Sequence, residues 1–486
     1  MVVTVARVAR RDVDLGGRIR QCPASRRQLL STSEHQTEAS VETPLPVHVQ
    51  LGFGLGDHTL NIALSALSLL YLFFLTNVAG LRPALASLVL LVGRTVDALT
   101  DPLMGHLSDI TPWRWGRSRP YFVLAAVPFG LSFALLWQDF GIHSQATLFA
   151  VYAGAYIAHT TASTMLGVPY MALQPELAVS YHERTALNVY RQAGAILGTL
   201  LAAVATRPLV EALGGGAQGF ARTGIMLGLW MAAPWFVVYA VTWERPALAR
   251  PVQMRFLADL RTVAANRAYR ILVGLFLSAR AALDLVAAMI IFYMAYWLRR
   301  EGDFAPIMGT MLVAAGLSLP LWLQAARHAD KATIFIAGVC WWIATQLTLL
   351  VLQPAWPRWA MFAVAAATGL GYAVADLMPW SMLGDVVDAD ELTTGERRDG
   401  VYAGTFTFLR KLGGSAGVAL AGLALDLAGF VPGEEQSETA LLAIRTLTAA
   451  VPALLLAAAA LVAWSYPIGR RQHAEIVAQL QARRRV

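Results

Sequence analysis

Two aspartates stand four residues apart in the run Gly93-Arg94-Thr95-Val96-Asp97-Ala98-Leu99-Thr100-Asp101-Pro102, within an otherwise apolar stretch. A spacing of four puts both carboxylates on one face of a helix. Carboxylates at membrane depth are costly and face a cavity, a partner or an ion path. Asp97 and Asp101 are therefore a candidate cation site, open to Na⁺ or to a proton, and Na⁺ is the metal ion the pair would take. A hard ion takes oxygen ligands, and the hydroxyls of Thr100 and Thr164 can add to the carboxylates. Arg94 falls on the same helical face, three residues before Asp97. The plain reading is an Arg94–Asp97 ion pair that only orders the core. One guanidinium against two carboxylates still leaves a negative charge over.

Lysine occurs only at Lys331 and Lys411. Lys411 lies roughly 15 Å along its apolar segment, close to a bilayer midplane. It reads either as a charge snorkelling to an interface or as a link between cation site and substrate. Arg410 beside it reads as pointing elsewhere and snorkelling. Asp57, His58, Asn61, His159 and Arg191 are further polar groups in apolar segments. Arg280 and Asp284, another pair at a spacing of four, read as a mutual salt bridge. His159 reads as a hydrogen-bonded core histidine.

The elements that hold these residues follow from hydropathy. The chain has 486 residues, 57% hydrophobic and only 14% charged, against about 25% charged in soluble domains. Windows of about 20 residues give twelve spans. The first six lie at 55–78, 84–108, 120–140, 146–172, 187–210 and 222–243. The second six lie at 268–297, 304–326, 332–353, 357–382, 401–427 and 440–467. Arginines cluster after the even spans, so both termini are expected in the cytoplasm. That asymmetry accounts for the net charge of +7 and argues against nucleic-acid binding.

Five regions follow: a polar N-terminal arm at 1–46, bundles at 47–244 and 268–468, a basic connector at 245–267, and a basic tail at 469–486. The arm reads as disordered or as a misassigned start. Two six-span halves around a basic loop are the plan of a transporter built from parallel repeats. The acidic run Gly384–Glu391 reads as a solvated loop, or as a gate latching onto the other half. Gly413-Gly414-Ser415-Ala416-Gly417 matches G-x-S-x-G, but a nucleophile elbow needs a strand–turn–helix. Small residues for close helix packing explain it better. No Walker loop, HExxH or metal-spaced cysteine set occurs, so neither an enzyme nor an ATP-driven pump is expected.

The run from Gly93 to Pro102, continued by Leu103-Met104-Gly105 and Trp115-Gly116-Arg117-Ser118-Arg119-Pro120, resembles the signature of one family. It is the glycoside–pentoside–hexuronide:cation symporter family, the melibiose permease-like group of the major facilitator superfamily. Gly56-Asp57 with Asn61, Val168-Pro169-Tyr170, Glu183-Arg184-Thr185, Tyr190-Arg191, Pro379-Trp380-Ser381-Met382-Leu383, Asp385, Asp388 and Lys411 extend the match. The resemblance implies an all-α membrane protein with twelve transmembrane helices in two six-helix pseudo-symmetric bundles. It implies symport by alternating access. Asp97, Asp101 and Thr164 match cation-site positions, with Thr100 where a galactoside-carrying member has Asn. Arg191 and Lys411 match polar residues near the substrate cavity, and Arg94, by its place on the helical face of Asp97, is expected there with them. Arg117, Arg184, Asp385 and Asp388 fall at the cytoplasmic gate.

Three positions depart from the galactoside carrier. Asn61 and Gly167 replace its two sugar-binding aspartates, and Met171 replaces the tryptophan on which the sugar stacks. A eukaryotic lysophospholipid carrier shares the Asp-Ala-Leu-Thr-Asp and Pro-Trp-Ser-Met-Leu strings. The expectation is thus a cation-coupled symporter of sugars or glycosides, with a lysophospholipid or other amphiphile as the alternative cargo. A non-transporting sensor on the same fold is a reading from a different class. The expected setting is the inner membrane, as a functional monomer with a coupling ion, Na⁺ or H⁺, and no cofactor.

Overall fold

The computed structural model describes residues 45–111, 116–178, 181–244, 263, 265–326, 328–396 and 398–485. The arm up to residue 44 and most of the connector, including its amphipathic patch, lie outside them. Among the described residues from Val47 onward the chain forms twelve membrane-length helices. The first six are α1 (Val47–Asn77), α2 (Pro83–Ile110), α3 (Arg119–Leu136), α4 (Gln145–Leu177), α5 (Tyr181–Ala212) and α6 (Gly216–Val241). The second six are α7 (Arg267–Trp297), α8 (Phe304–Ala325), α9 (Lys331–Val351), α10 (Arg358–Thr394), α11 (Asp399–Leu427) and α12 (Glu438–Trp464). A tail helix, α13 (Arg470–Arg485), follows.

Eleven of the twelve are apolar enough to cross a bilayer by composition. The other, α4, has the length, at 33 residues. Its apolarity is diluted by His159, Thr160, Thr161 and Thr164, and Thr164 belongs to the site described below.

Helix contacts repeat with a period of six. α1 packs on α5 as α7 packs on α11, α3 on α6 as α9 on α12, and α2 on α4 as α8 on α10. The bundles meet through α2 on α11 and through α5 on α8, a pair of contacts that exchange under the same symmetry. α1 and α7, equivalent in this scheme, each carry a π-helical turn, at Leu67–Tyr71 and Tyr293–Trp297. Such turns shift helix register and concentrate at functional sites.

One difference from the sequence reading concerns the acidic run at 384–391. It is not a loop: α10 continues through it to Thr394 and ends at Gly395, whose φ of 77° is the left-handed cap that glycine favours. The charges are tolerated in a helix because they are paired. Asp385 accepts from Lys331 Nζ at 2.7 Å, and Asp390 lies 3.7 Å from Arg398.

The bundles are tied on the side opposite the chain ends. Tyr296 donates to Asn77, Arg207 pairs with Glu301, and Phe73 meets Phe292 edge-on. Ser87 Oγ donates to the Ala419 carbonyl at 3.1 Å. Close approach of α2 and α11 requires Gly422 here: a Cβ on it would lie 2.2 Å from Ser87 Oγ and 2.6 Å from the Pro83 carbonyl oxygen.

Candidate cation site and central cavity

Asp97 and Asp101 project from α2 toward α4 and α11, the two helices packed against it. Thr164 Oγ on α4 stands 3.0 Å from Asp97 Oδ1 and 3.1 Å from Asp101 Oδ1. A hydroxyl carries one proton. It can donate to one carboxylate at a time, and the other contact sets oxygen against oxygen unless a proton or cation lies between. On the opposite edge, Lys411 Nζ of α11 lies 2.8 Å from Asp97 Oδ2 and 2.5 Å from Asp101 Oδ2. The lysine therefore bridges both carboxylates across the bundle interface. Pro102, directly after Asp101, has no N–H for the Ala98 carbonyl one turn back, a further oxygen beside the pair.

Two other expected companions are placed differently. Thr100 donates to the Asp97 backbone carbonyl at 3.2 Å, a helix-internal bond. Arg94 Nη2 reaches Ser68 Oγ in the π-helical turn of α1, at 3.4 Å, and makes no ion pair with Asp97. Beside it is a small void whose charged lining is Arg94, Arg280, Asp284, Arg410 and Lys411.

That void adjoins a cavity of about 940 Å³ between the bundles. Asn61, Ser68, Arg280, Asp284, Asp376 and Arg410 form its polar end. Leu283, Ile290, Met294, Ile307, Met308 and Leu312 line its body. Arg280 grips Asp284 in a forked contact, Nη2 to Oδ1 at 2.7 Å and Nε to Oδ2 at 3.2 Å, and its Nη1 lies 3.3 Å from Asp376. The Arg280–Asp284 salt bridge read from the sequence is present, and it sits on the cavity wall. Arg410 corrects the sequence reading. It does not turn away to an interface but lines the cavity. Asp376 escaped that reading too; a lone carboxylate one turn before Trp380 in an apolar helix was the available signal.

Asn61 reaches this cavity, its side chain donating to the Asp57 carbonyl at 2.8 Å. Arg191 and Met171 form a separate group in the first bundle. Arg191 Nε donates to Asp57 Oδ2 at 2.5 Å, with further contacts to Gln174 and to Met171 Sδ. Tyr170 OH also reaches Asp57, at 3.0 Å. Gly167 has open space around it, the nearest side chain being Leu60. His159 is packed between Phe129 and Phe133, with Ser132 at 3.3 Å from Nδ1.

On the side of the chain ends, Arg117 pairs with Glu176 at 2.5 Å. The Glu244 carboxylate accepts from the backbone N–H groups of Arg117, Ser118 and Arg119 at the start of α3. Asp385 pairs with Lys331, and Asp388 faces His473 of the tail helix at 3.1 Å. These pairs join elements of one bundle, not opposite bundles. The Arg184 side chain lies outside the described residues.

The twelve described helices in two repeating bundles, with a cavity at their interface and partly buried charges along it, define a membrane transporter of the major facilitator class. The chain belongs to the MFS/sugar transport protein family, whose profile matches residues 52–470. It is 30% identical to the uncharacterized symporter sll1374 of Synechocystis over 89% of this chain and 96% of that one. It is 27% identical to the sodium-dependent lysophosphatidylcholine symporter 1-A of Danio rerio (90% and 88% covered). It is also 27% identical to the isoprimeverose transporter of Lactiplantibacillus pentosus (85% and 89%). The inward open xylose transporter XylE of E. coli shares the fold at a TM-score of 0.61 with 14% identity, covering 89% of this chain and 99% of XylE.

Proposed function

We propose that the protein is a cation-coupled symporter in which Asp97 and Asp101 take the coupling ion and Lys411 holds their place between turnovers. The observation that carries this is the Lys411 bridge, 2.8 Å and 2.5 Å to carboxylates of the other bundle. A cation entering the pair competes with an ammonium tethered to the second bundle. Its arrival weakens a cross-bundle tie and makes bundle movement depend on occupancy. Thr164, freed from sharing one proton between two carboxylates, turns a lone pair to the ion. Na⁺ and H⁺ both suit this donor set.

The family setting and the relatives named as symporters support coupled transport. Ties on the side of Asn77, Glu301 and Gly422 support a conformation closed there and accessible from the side of the chain ends. The arginine distribution supports reading that side as the cytoplasm, in a plasma or inner membrane with both termini inside.

For cargo, the aliphatic and methionine lining of the cavity supports an amphiphile. A sugar or glycoside is the second reading, favoured by the isoprimeverose-carrying relative and by Asn61 at the polar end. Proteoliposomes holding the full chain test both. An imposed inward Na⁺ or proton gradient should drive uptake of tracer lysophosphatidylcholine on the first reading and of isoprimeverose on the second. Uptake of neither above protein-free vesicles, under either gradient, would count against symport of these classes.

A further inference from the structure

Four basic and four acidic side chains lie along the cavity, the void beside it and the carboxylate pair that Lys411 joins to that void, and they are unevenly paired. Lys411 serves two carboxylates, Asp97 and Asp101. Arg280 serves two more, Asp284 and Asp376. Each trio carries one excess negative charge. The remaining two are guanidiniums: Arg94, bonded to the Ser68 hydroxyl, and Arg410. Among the described residues Arg410 has no hydrogen-bond or ion-pair partner, and its Nε is shut off from solvent without an acceptor. The carboxylates nearest it, Asp284 and Asp376, are held by Arg280. A largely enclosed guanidinium with no direct contact of its own is expensive, and in a membrane protein it marks a ligand or ion path.

The eight charges sum to zero with the cation site vacant. A coupling ion at Asp97 and Asp101 adds one positive charge to a low-dielectric interior, where it is felt across the cavity. From this imbalance and the orphan guanidinium we infer that the cargo carries an anionic group, bound by Arg410, on an apolar body that fills the rest of the cavity. This rests on the symport reading for its coupling and extends it to the cargo's charge. Arginine offers parallel N–H donors to a carboxylate or a phosphate oxygen pair. The body packs among Leu283, Ile290, Met294, Ile307, Met308 and Leu312. Ion and cargo together restore neutrality, and either alone leaves one unit of charge. That difference penalises the half-loaded states and couples the two ligands.

The recognising chemistry is one negative charge at the polar end of an amphiphile, whether from a phosphodiester head group or a sugar acid. Matched probes separate these sources: lysophosphatidylglycerol against monoacylglycerol of the same chain, and dodecyl glucuronide against dodecyl glucoside. Binding to the full chain in nanodiscs is measured with wild-type protein, then with Arg410→Gln and Arg410→Lys. In at least one pair the anionic member should bind wild type about tenfold more tightly or better, the scale of one charge-assisted hydrogen bond. Arg410→Gln should erase the preference and Arg410→Lys retain part of it.

Equal affinity within both pairs, or no binding of either anionic probe, overturns the inference without recourse to any variant. An undiminished preference in folded Arg410→Gln protein overturns the assignment to Arg410. Tightening of the anionic probe by Na⁺ or low pH reads the coupling separately. A charge preference that ignores both ions would leave this inference standing and remove the symport reading.

Discussion

Lys411 Nζ on α11 lies within 2.8 Å of Asp97 and 2.5 Å of Asp101 on α2, so a single ammonium closes the carboxylate pair from the other bundle. The bridge is buried at Asp97 and half-buried at Asp101, and it crosses the interface along which a two-bundle transporter must move. Removing one member of a buried charge cluster costs about 3–5 kcal/mol because it leaves its partners uncompensated. The consequences differ for each member, and each can be measured.

Asp97→Asn and Asp101→Asn each leave Lys411 with one carboxylate and remove charge from the ion's donor set. Cation-driven accumulation in proteoliposomes should fall by about tenfold or more, while membrane insertion and elution as a folded species persist. Accumulation at the wild-type level in both variants would remove the pair from the coupling site.

Thr164 contributes one oxygen shared by two carboxylates. Thr164→Val keeps the shape and deletes that oxygen. The apparent cation affinity should weaken by roughly tenfold, the scale of a buried hydrogen bond to a charged group. Thr164→Ser should stay close to wild type. A titration of transport rate against Na⁺ at fixed pH, repeated against pH without Na⁺, also identifies the coupling ion.

Gly422 allows α2 and α11 to close on Ser87. Gly422→Val places side-chain atoms where Ser87 Oγ and the Pro83 carbonyl now stand. The equilibrium should shift toward states separated on that side, with turnover lost. Spin labels at positions 77 and 296 should then show a longer mean distance in the variant. An unchanged distance distribution would show that this contact does not govern closure.

Much of the fold is legible in the sequence because membrane helices are written in long apolar runs. The twelve spans differ from the helices mainly where a helix extends into charged or small residues. α10 runs on to Thr394 through paired aspartates, and α1 and α6 begin early, at Val47 and Gly216. Hydropathy alone cannot see a charge that a neighbour neutralises. The Asp97/Asp101 pair was legible by spacing, and Thr164 and Lys411 by type and depth. The partner of each was not: whether Arg94 turns to Asp97 or to Ser68 depends on a π-helical turn in another helix. Adjacent residues on α11 likewise face different rooms, Lys411 the carboxylates and Arg410 also the cavity. Position along a helix gives depth, but the neighbouring bundle decides what each side chain meets.

The central claim is that Lys411 competes with the coupling ion for Asp97 and Asp101. The direct test compares ion binding by wild-type and Lys411→Met protein. Na⁺ is titrated at fixed pH, and pH is titrated without Na⁺, with intrinsic tryptophan fluorescence as the readout. With the tethered cation gone, two carboxylates, one buried and one half-buried, face each other without a counter-charge. The account predicts binding of the coupling ion tightened by about tenfold or more, together with loss of cation-driven accumulation. Unchanged or weaker binding of both Na⁺ and protons in the folded variant would contradict it.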